Sequence, residues 1–98
     1  MLLLVTSSNR GAEFATALNL TLGEKVEIAV NSRRANALLR NAEFDAIIFD
    51  EPVVENEPDG VEVILENAGI ALPVYINLAI SGADRVVREV RLALRRYR

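Results

Sequence analysis

Apolar residues along this chain change their period several times, and each change marks an element. Leu2 to Thr6 opens as a continuous apolar run, the pattern of a strand covered on both faces. Arg10 to Leu22 sets Phe14, Ala15, Leu18 and Leu22 at helical spacing, behind Ser7, Ser8 and Asn9 as available N-caps. Gly23 stops that helix, because glycine takes the left-handed C′ conformation without steric cost. Val26, Ile28 and Val30 alternate with Glu27 and Ala29, so the second strand has one less deeply buried face.

Ser32 is a good N-cap for a helix from Arg33 to about Ala42, with Ala35, Leu38, Leu39 and Ala42 as its stripe. Ala46 to Phe49 is a third strand, apolar throughout and followed by acids. A loop holding Pro52 and Pro58 leads to a helix from Gly60 to Asn67, which Gly69 ends. Pro73 precedes a fourth strand, Val74 to about Leu78. Ser81 and Asp84 resemble a capping box that starts the last helix. Val86, Val90, Ala93, Leu94 and Tyr97 form its stripe, and Leu92 lies among the arginines on the remaining surface.

The order βαβαβαβα predicts a parallel sheet with helices on both faces, since right-handed crossovers allow little else. The expected fold is a flavodoxin-like three-layer α/β sandwich with four strands in the order 2-1-3-4. Residues 1–98 form a single domain without repeats or linkers.

Composition then removes whole classes of chemistry. The chain has no cysteine and no histidine, so thiolate or histidine metal sites, cysteine nucleophiles and phosphohistidine are excluded. Met-Leu-Leu-Leu-Val is too short for a signal peptide and no apolar run approaches a membrane span, so a cytoplasmic protein is expected. The net charge of −3 is unevenly spread. Glu43 to Glu66 carries nine acids and no base, whereas Arg85 to Arg98 carries six arginines and one glutamate. Solvated faces of opposite sign account for this; the alternative is that the basic helix meets an acidic partner, a nucleic acid or the next part of a longer chain, though without an aromatic platform it is weak evidence for nucleic-acid binding.

In open α/β sheets ligands bind at the carboxyl ends of the strands, where the strand order reverses. Here those ends carry Thr6, Ser7, Ser8 and Asn9 on one side, and Asp50 and Glu51 on the other. "TSSNRG", Thr6 to Gly11, is a candidate phosphate or nucleotide site, but it lacks both the G-x-G-x-x-G and the Walker spacing. Adjacent residues on a strand point to opposite faces, so Asp50 and Glu51 do not converge on one substrate unless the strand has already ended. Asp50 alone is a candidate phospho-acceptor. That role needs further acids for a divalent cation, a lysine for the developing charge and a hydroxyl to read out the product.

The segments "DAIIFDE", "DGVEVILENAG" and "LPVYINLA" resemble the receiver domains of two-component response regulators, and the resemblance runs from Met1 to about Ala79. It implies the receiver fold and a signalling lineage. Asp50 matches the phospho-acceptor, Asp59-Gly60 the Asp-Gly that opens the next helix, and Ala79 the alanine after the switch hydroxyl. The departures are specific. Ser7 and Ser8 stand where receivers carry metal-binding acids, and Leu78, or Asn77 in a register shifted by one, stands at the switch hydroxyl. The fifth strand and its lysine are missing.

The resemblance therefore implies a pseudo-receiver: a non-catalytic signal-transduction and protein-interaction module, with no cofactor. One alternative is a working receiver taking phosphate on Asp50 from a histidine kinase. The other is a small nucleotide or phosphate binder using Thr6 to Gly11. The chain ends inside a helix without a stop signal, so a basic helix over residues 82–98 is expected to continue into an output or dimerisation segment. A fourth strand at the sheet edge also needs a cover. Homodimerisation through that strand and the last helix is the expected solution, with Tyr75, Asn77, Arg88, Leu92 and Arg95 as candidate contacts.

Overall fold

The computed structural model describes residues 1–97, with the Tyr97 side chain and Arg98 outside the described part. The strands are β1 (Leu2–Val5), β2 (Val26–Ala29), β3 (Ala46–Asp50) and β4 (Leu72–Ile76). The helices are α1 (Gly11–Leu22), α2 (Ser32–Leu39), α3 (Glu51–Asn56), α4 (Pro58–Asn67) and α5 (Ala83–Tyr97). All strand pairs are parallel, and the sheet order is β2-β1-β3-β4, a flavodoxin-like arrangement. Among the described residues no helix is long and apolar enough to cross a membrane.

Strand alternation divides the core in two. Leu2, Leu4, Ala46, Ile48, Val74 and Ile76 face α1 and α5, where Phe14, Leu18, Val86 and Val90 meet them. Leu3, Val5, Ile47 and Phe49 face the other way, onto Ala35, Val53, Val61 and Ile64. All four residues of β1 are fully buried, as its unbroken apolar run requires. Each such large side chain contributes about 1.5–3 kcal/mol of transfer free energy. β2 is an edge strand, and Ile28 on its outer part is exposed.

Several boundaries differ from the sequence pattern for local reasons. The sequence pattern predicts a loop holding Pro52 and Pro58 up to Gly60, but Glu51–Asn56 is helical, with Pro52 in the first turn where its missing N–H costs nothing. Pro58 opens α4 in the same way, so α4 starts before Gly60. Asn31, not Ser32, caps α2: Asn31 Oδ1 accepts the Arg34 N–H at 2.8 Å. Arg10 occupies the N-cap position of α1 without a side-chain cap bond. Pro73 lies inside β4, which edge position permits because an outward N–H has no ladder partner to lose. Gly23 and Gly69 do take positive φ, 67° and 61°, at the ends of α1 and α4.

The last helix folds back on the sheet and packs against α1 and β4. Val87 joins Val86, Val90 and Leu94 in the buried face, which is wider than the stripe alone predicts, while Leu92 is 56 % exposed.

Candidate functional site

Asp50 ends β3, the strand between β1 and β4, and it is only 4 % exposed. Its Oδ2 accepts the Thr6 hydroxyl at 2.7 Å, and its Oδ1 accepts the Leu78 backbone N–H at 3.0 Å. Thr6 Oγ1 in turn accepts the Ser8 N–H at 3.0 Å. The carboxylate thus ties together the ends of three adjacent strands.

Arg10 completes this arrangement from outside. Its Nη1 donates to the Leu78 carbonyl at 3.0 Å, its Nε donates to Glu13 at 3.0 Å, and its guanidinium lies 4.9 Å from the Phe14 ring centre. The Leu78 residue is therefore held at both polar ends, N–H by Asp50 and C=O by Arg10, with its side chain fully buried. Arg10 was foreseen only as the first residue of a helix. A contact 68 residues away leaves no local trace in the sequence.

Phosphoryl acceptance at Asp50 requires an oxygen free to attack and a cation to neutralise the two anions that meet. Each oxygen already accepts one hydrogen bond within the protein, so an attacking oxygen would act with one of its lone pairs committed to Thr6 or Leu78. Ser7 and Ser8 follow β1 with neutral hydroxyls, and among the described residues no group of three or more acids could hold a metal ion. The donor set does not fit the magnesium ion that receiver chemistry employs. Lys25, the single lysine, is exposed just before β2, with its Nζ 3.6 Å from Glu27.

The strand ends at Asp50 and Glu51 is the first residue of α3, so the opposed faces expected of two strand residues do not apply; the two acids are separated instead by their partners. Glu51 is exposed and accepts Asn77 Nδ2 at 3.1 Å. Its hydrogen bond and its charge push the Glu55 carboxyl above the ordinary carboxylate value, with a small further push from burial. The two acids that adjoin in sequence therefore serve separate contacts.

The Thr6–Gly11 turn uses its own backbone donors. Ser8 N–H goes to Thr6 Oγ1, Arg10 N–H to Ser8 Oγ at 3.1 Å, and Gly11 N–H to the Ser8 carbonyl at 3.1 Å. A β-carbon at Gly11 would lie 3.0 Å from Thr6 Cγ2, so this glycine is explained by helix–strand packing.

The acidic stretch after Asp50 has a structural task that sequence reasoning missed. Glu57 Oε1 accepts both the Ser32 N–H at 3.0 Å and the Ser32 hydroxyl at 2.7 Å, serving the amino end of α2. Gly60 permits that approach, because a β-carbon there would lie 2.6 Å from Ser32 Cβ. The Asp59-Gly60 pair thus marks a helix-to-helix contact.

Of the candidate contact residues, Tyr75, Arg88 and Leu92 line one groove between β4 and α5. Asn77 lies at its adjoining end, in a smaller cleft that Tyr75 also borders. Arg95 belongs elsewhere: it faces Leu22 and Glu24 on the α1 side of the helix. Three residues beyond Leu92, an α-helical side chain has swung by about 60° around the axis, which is enough to leave the groove. Tyr75 is 53 % exposed although its ring stacks on buried Phe49, at 5.4 Å between centroids. Comparison with known proteins returns no matching family model, no matching curated protein and no matching solved structure.

Proposed function

We propose that this chain is a non-catalytic signalling module, a pseudo-receiver of two-component type that works by binding another protein in the cytoplasm. The observation that carries the reading is the engagement of both Asp50 oxygens by Thr6 and Leu78 at a buried strand end. In this reading the acceptor position of a receiver has become a tie between strand ends. Loss of a single electrostatic stabiliser costs phosphoryl-type chemistry ~3 kcal/mol, and here metal acids and lysine are replaced together.

The partner is another protein or a following segment of the same polypeptide, with self-association through β4 and α5 as a further form of the same activity. Support for an interaction role comes from the open edge of β4 and the exposed Tyr75, Ile80 and Leu92 along it.

Incubation with acetyl phosphate and magnesium tests the reading by intact-mass measurement. The expected spectrum is unchanged. A phosphoryl adduct that Asp50→Asn abolishes would overturn it in favour of a working receiver.

A further inference from the structure

β4 pairs with β3 on one side only. Leu72 N–H donates to the Asp45 carbonyl at 3.0 Å, so the even-numbered residues of β4 turn their polar groups towards β3. The odd-numbered ones turn theirs outward. Pro73 has no N–H, and the Asn77 carbonyl already accepts Ile80 and Ser81 N–H groups at 3.3 and 3.0 Å. The outward ladder therefore reduces to the Pro73 carbonyl, the Tyr75 N–H and C=O, and the Asn77 N–H.

Above this edge runs a groove of about 780 Å³ between β4 and α5. Arg88, Leu92 and Arg96 line it at intervals of four along one ridge of the helix. The acid in the groove, Glu89, is paired with Arg85 at 3.6 Å. Arg88 and Arg96 have no ion-pair partner among the described residues. Four helical residues rise about 6 Å, close to the ~6.7 Å between alternate residues of a strand. An added strand can therefore place one side chain opposite each of the three.

Resting on the interaction-module reading above, we infer that this edge binds an extended acidic segment of a partner protein as a fifth strand. The segment has the pattern acid–x–apolar–x–acid. Its carboxylates meet Arg88 and Arg96, and its central apolar residue meets Leu92. The intervening side chains turn to the other face of the sheet, towards the exposed part of Tyr75. Main-chain bonds at Tyr75 supply affinity and the arginines supply selection. A second copy is a poorer occupant. Two-fold pairing of β4 with itself would set the arginine ridges of two α5 helices side by side. A nucleic acid would satisfy the arginines but not the outward peptide groups of Tyr75.

The probe is a fluorescently labelled nine-residue peptide with glutamates at its third and seventh positions, isoleucine between them at the fifth, and threonine or valine elsewhere. The same peptide with lysines replacing the glutamates is the control. The full chain is expected to bind the acidic peptide, shift the Tyr75 amide resonance and ignore the lysine peptide. Arg88→Glu combined with Arg96→Glu should weaken binding at least tenfold, and Leu92→Ser severalfold. Arg33→Glu, on α2, should leave it unchanged. The proposal is overturned by absence of binding at millimolar peptide, by binding that survives the double charge reversal in a folded variant, or by a bound state that leaves the Tyr75 amide unmoved. A β4-mediated dimer in sedimentation, or tighter binding of a single-stranded oligonucleotide, also overturns it. None of these outcomes involves Asp50, so failure here is distinct from phosphorylation of Asp50, which alone would remove the pseudo-receiver reading.

Discussion

Asp50 and Leu78 are joined across 28 residues by a 3.0 Å hydrogen bond from the Leu78 N–H to Oδ1 of a buried carboxylate. The bond fixes the exit of β4 against the end of β3, and the Thr6 hydroxyl on Oδ2 adds the end of β1. Cutting it out should therefore be a stability event. Asp50→Ala leaves a buried hydroxyl and a buried N–H without an acceptor and should cost about 2–4 kcal/mol in urea unfolding. Asp50→Asn keeps one acceptor in place and should cost about half as much. An alanine variant as stable as the parent would contradict the structural role.

Glu57 should behave as a cap supplied from a distance. Glu57→Ala removes the acceptor of both the Ser32 N–H and the Ser32 hydroxyl, and a loss of about 1–2 kcal/mol is expected. Thermal melts of the two proteins at neutral pH measure it.

The two glycines at positions 60 and 82 should respond differently to the same methyl group. At Gly60 the new carbon would fall 2.0 Å from Ser32 Oγ, and the strain should cost about 1–3 kcal/mol. At Gly82 nothing lies within 4 Å, and the change should stay within about 0.5 kcal/mol. Equal melting temperatures for the two alanine variants would contradict the tight contact between α2 and α4.

The amino terminus gives a pH dependence with a definite sign. Burial acts to lower the pKa of the Met1 amine, but hydrogen bonds to Asp45 at 2.6 Å and Glu24 at 3.2 Å, with their charges, outweigh it and hold the amine above 8.0. A base whose pKa is raised on folding stabilises fully below its unfolded value and loses that contribution as pH rises through the folded value. Stability should therefore decline above pH 8, and Asp45→Asn should flatten the decline. A profile unchanged by Asp45→Asn would argue that the pair contributes nothing.

Much of the fold lay open in the sequence because the signals were local. The unbroken run Leu2–Val5, the glycine stops at Gly23 and Gly69, and the alternation of strand and helix periods were enough for the sheet order. Other features came from contacts between distant residues, which no period encodes. Ser32 has the composition of a cap but sits inside the helix, because Asn31 is better placed and Glu57 arrives to take the Ser32 donors. Pro52 and Pro58 suggested loop, yet each stands in the first turn of a helix, the one helical location that tolerates proline. The position of Asp50 at the strand end was legible. Its two hydrogen bonds were not, because Thr6 is 44 residues away and Leu78 contributes only its backbone.

The most direct test of the central claim is an amide NMR spectrum recorded before and after addition of beryllofluoride with magnesium. Asp50 bonded to Thr6 and Leu78 predicts superimposable spectra, with the Thr6, Ser8 and Leu78 amides unmoved. Shifts centred on those amides, and lost in Asp50→Asn, would contradict the account and make Asp50 a working acceptor.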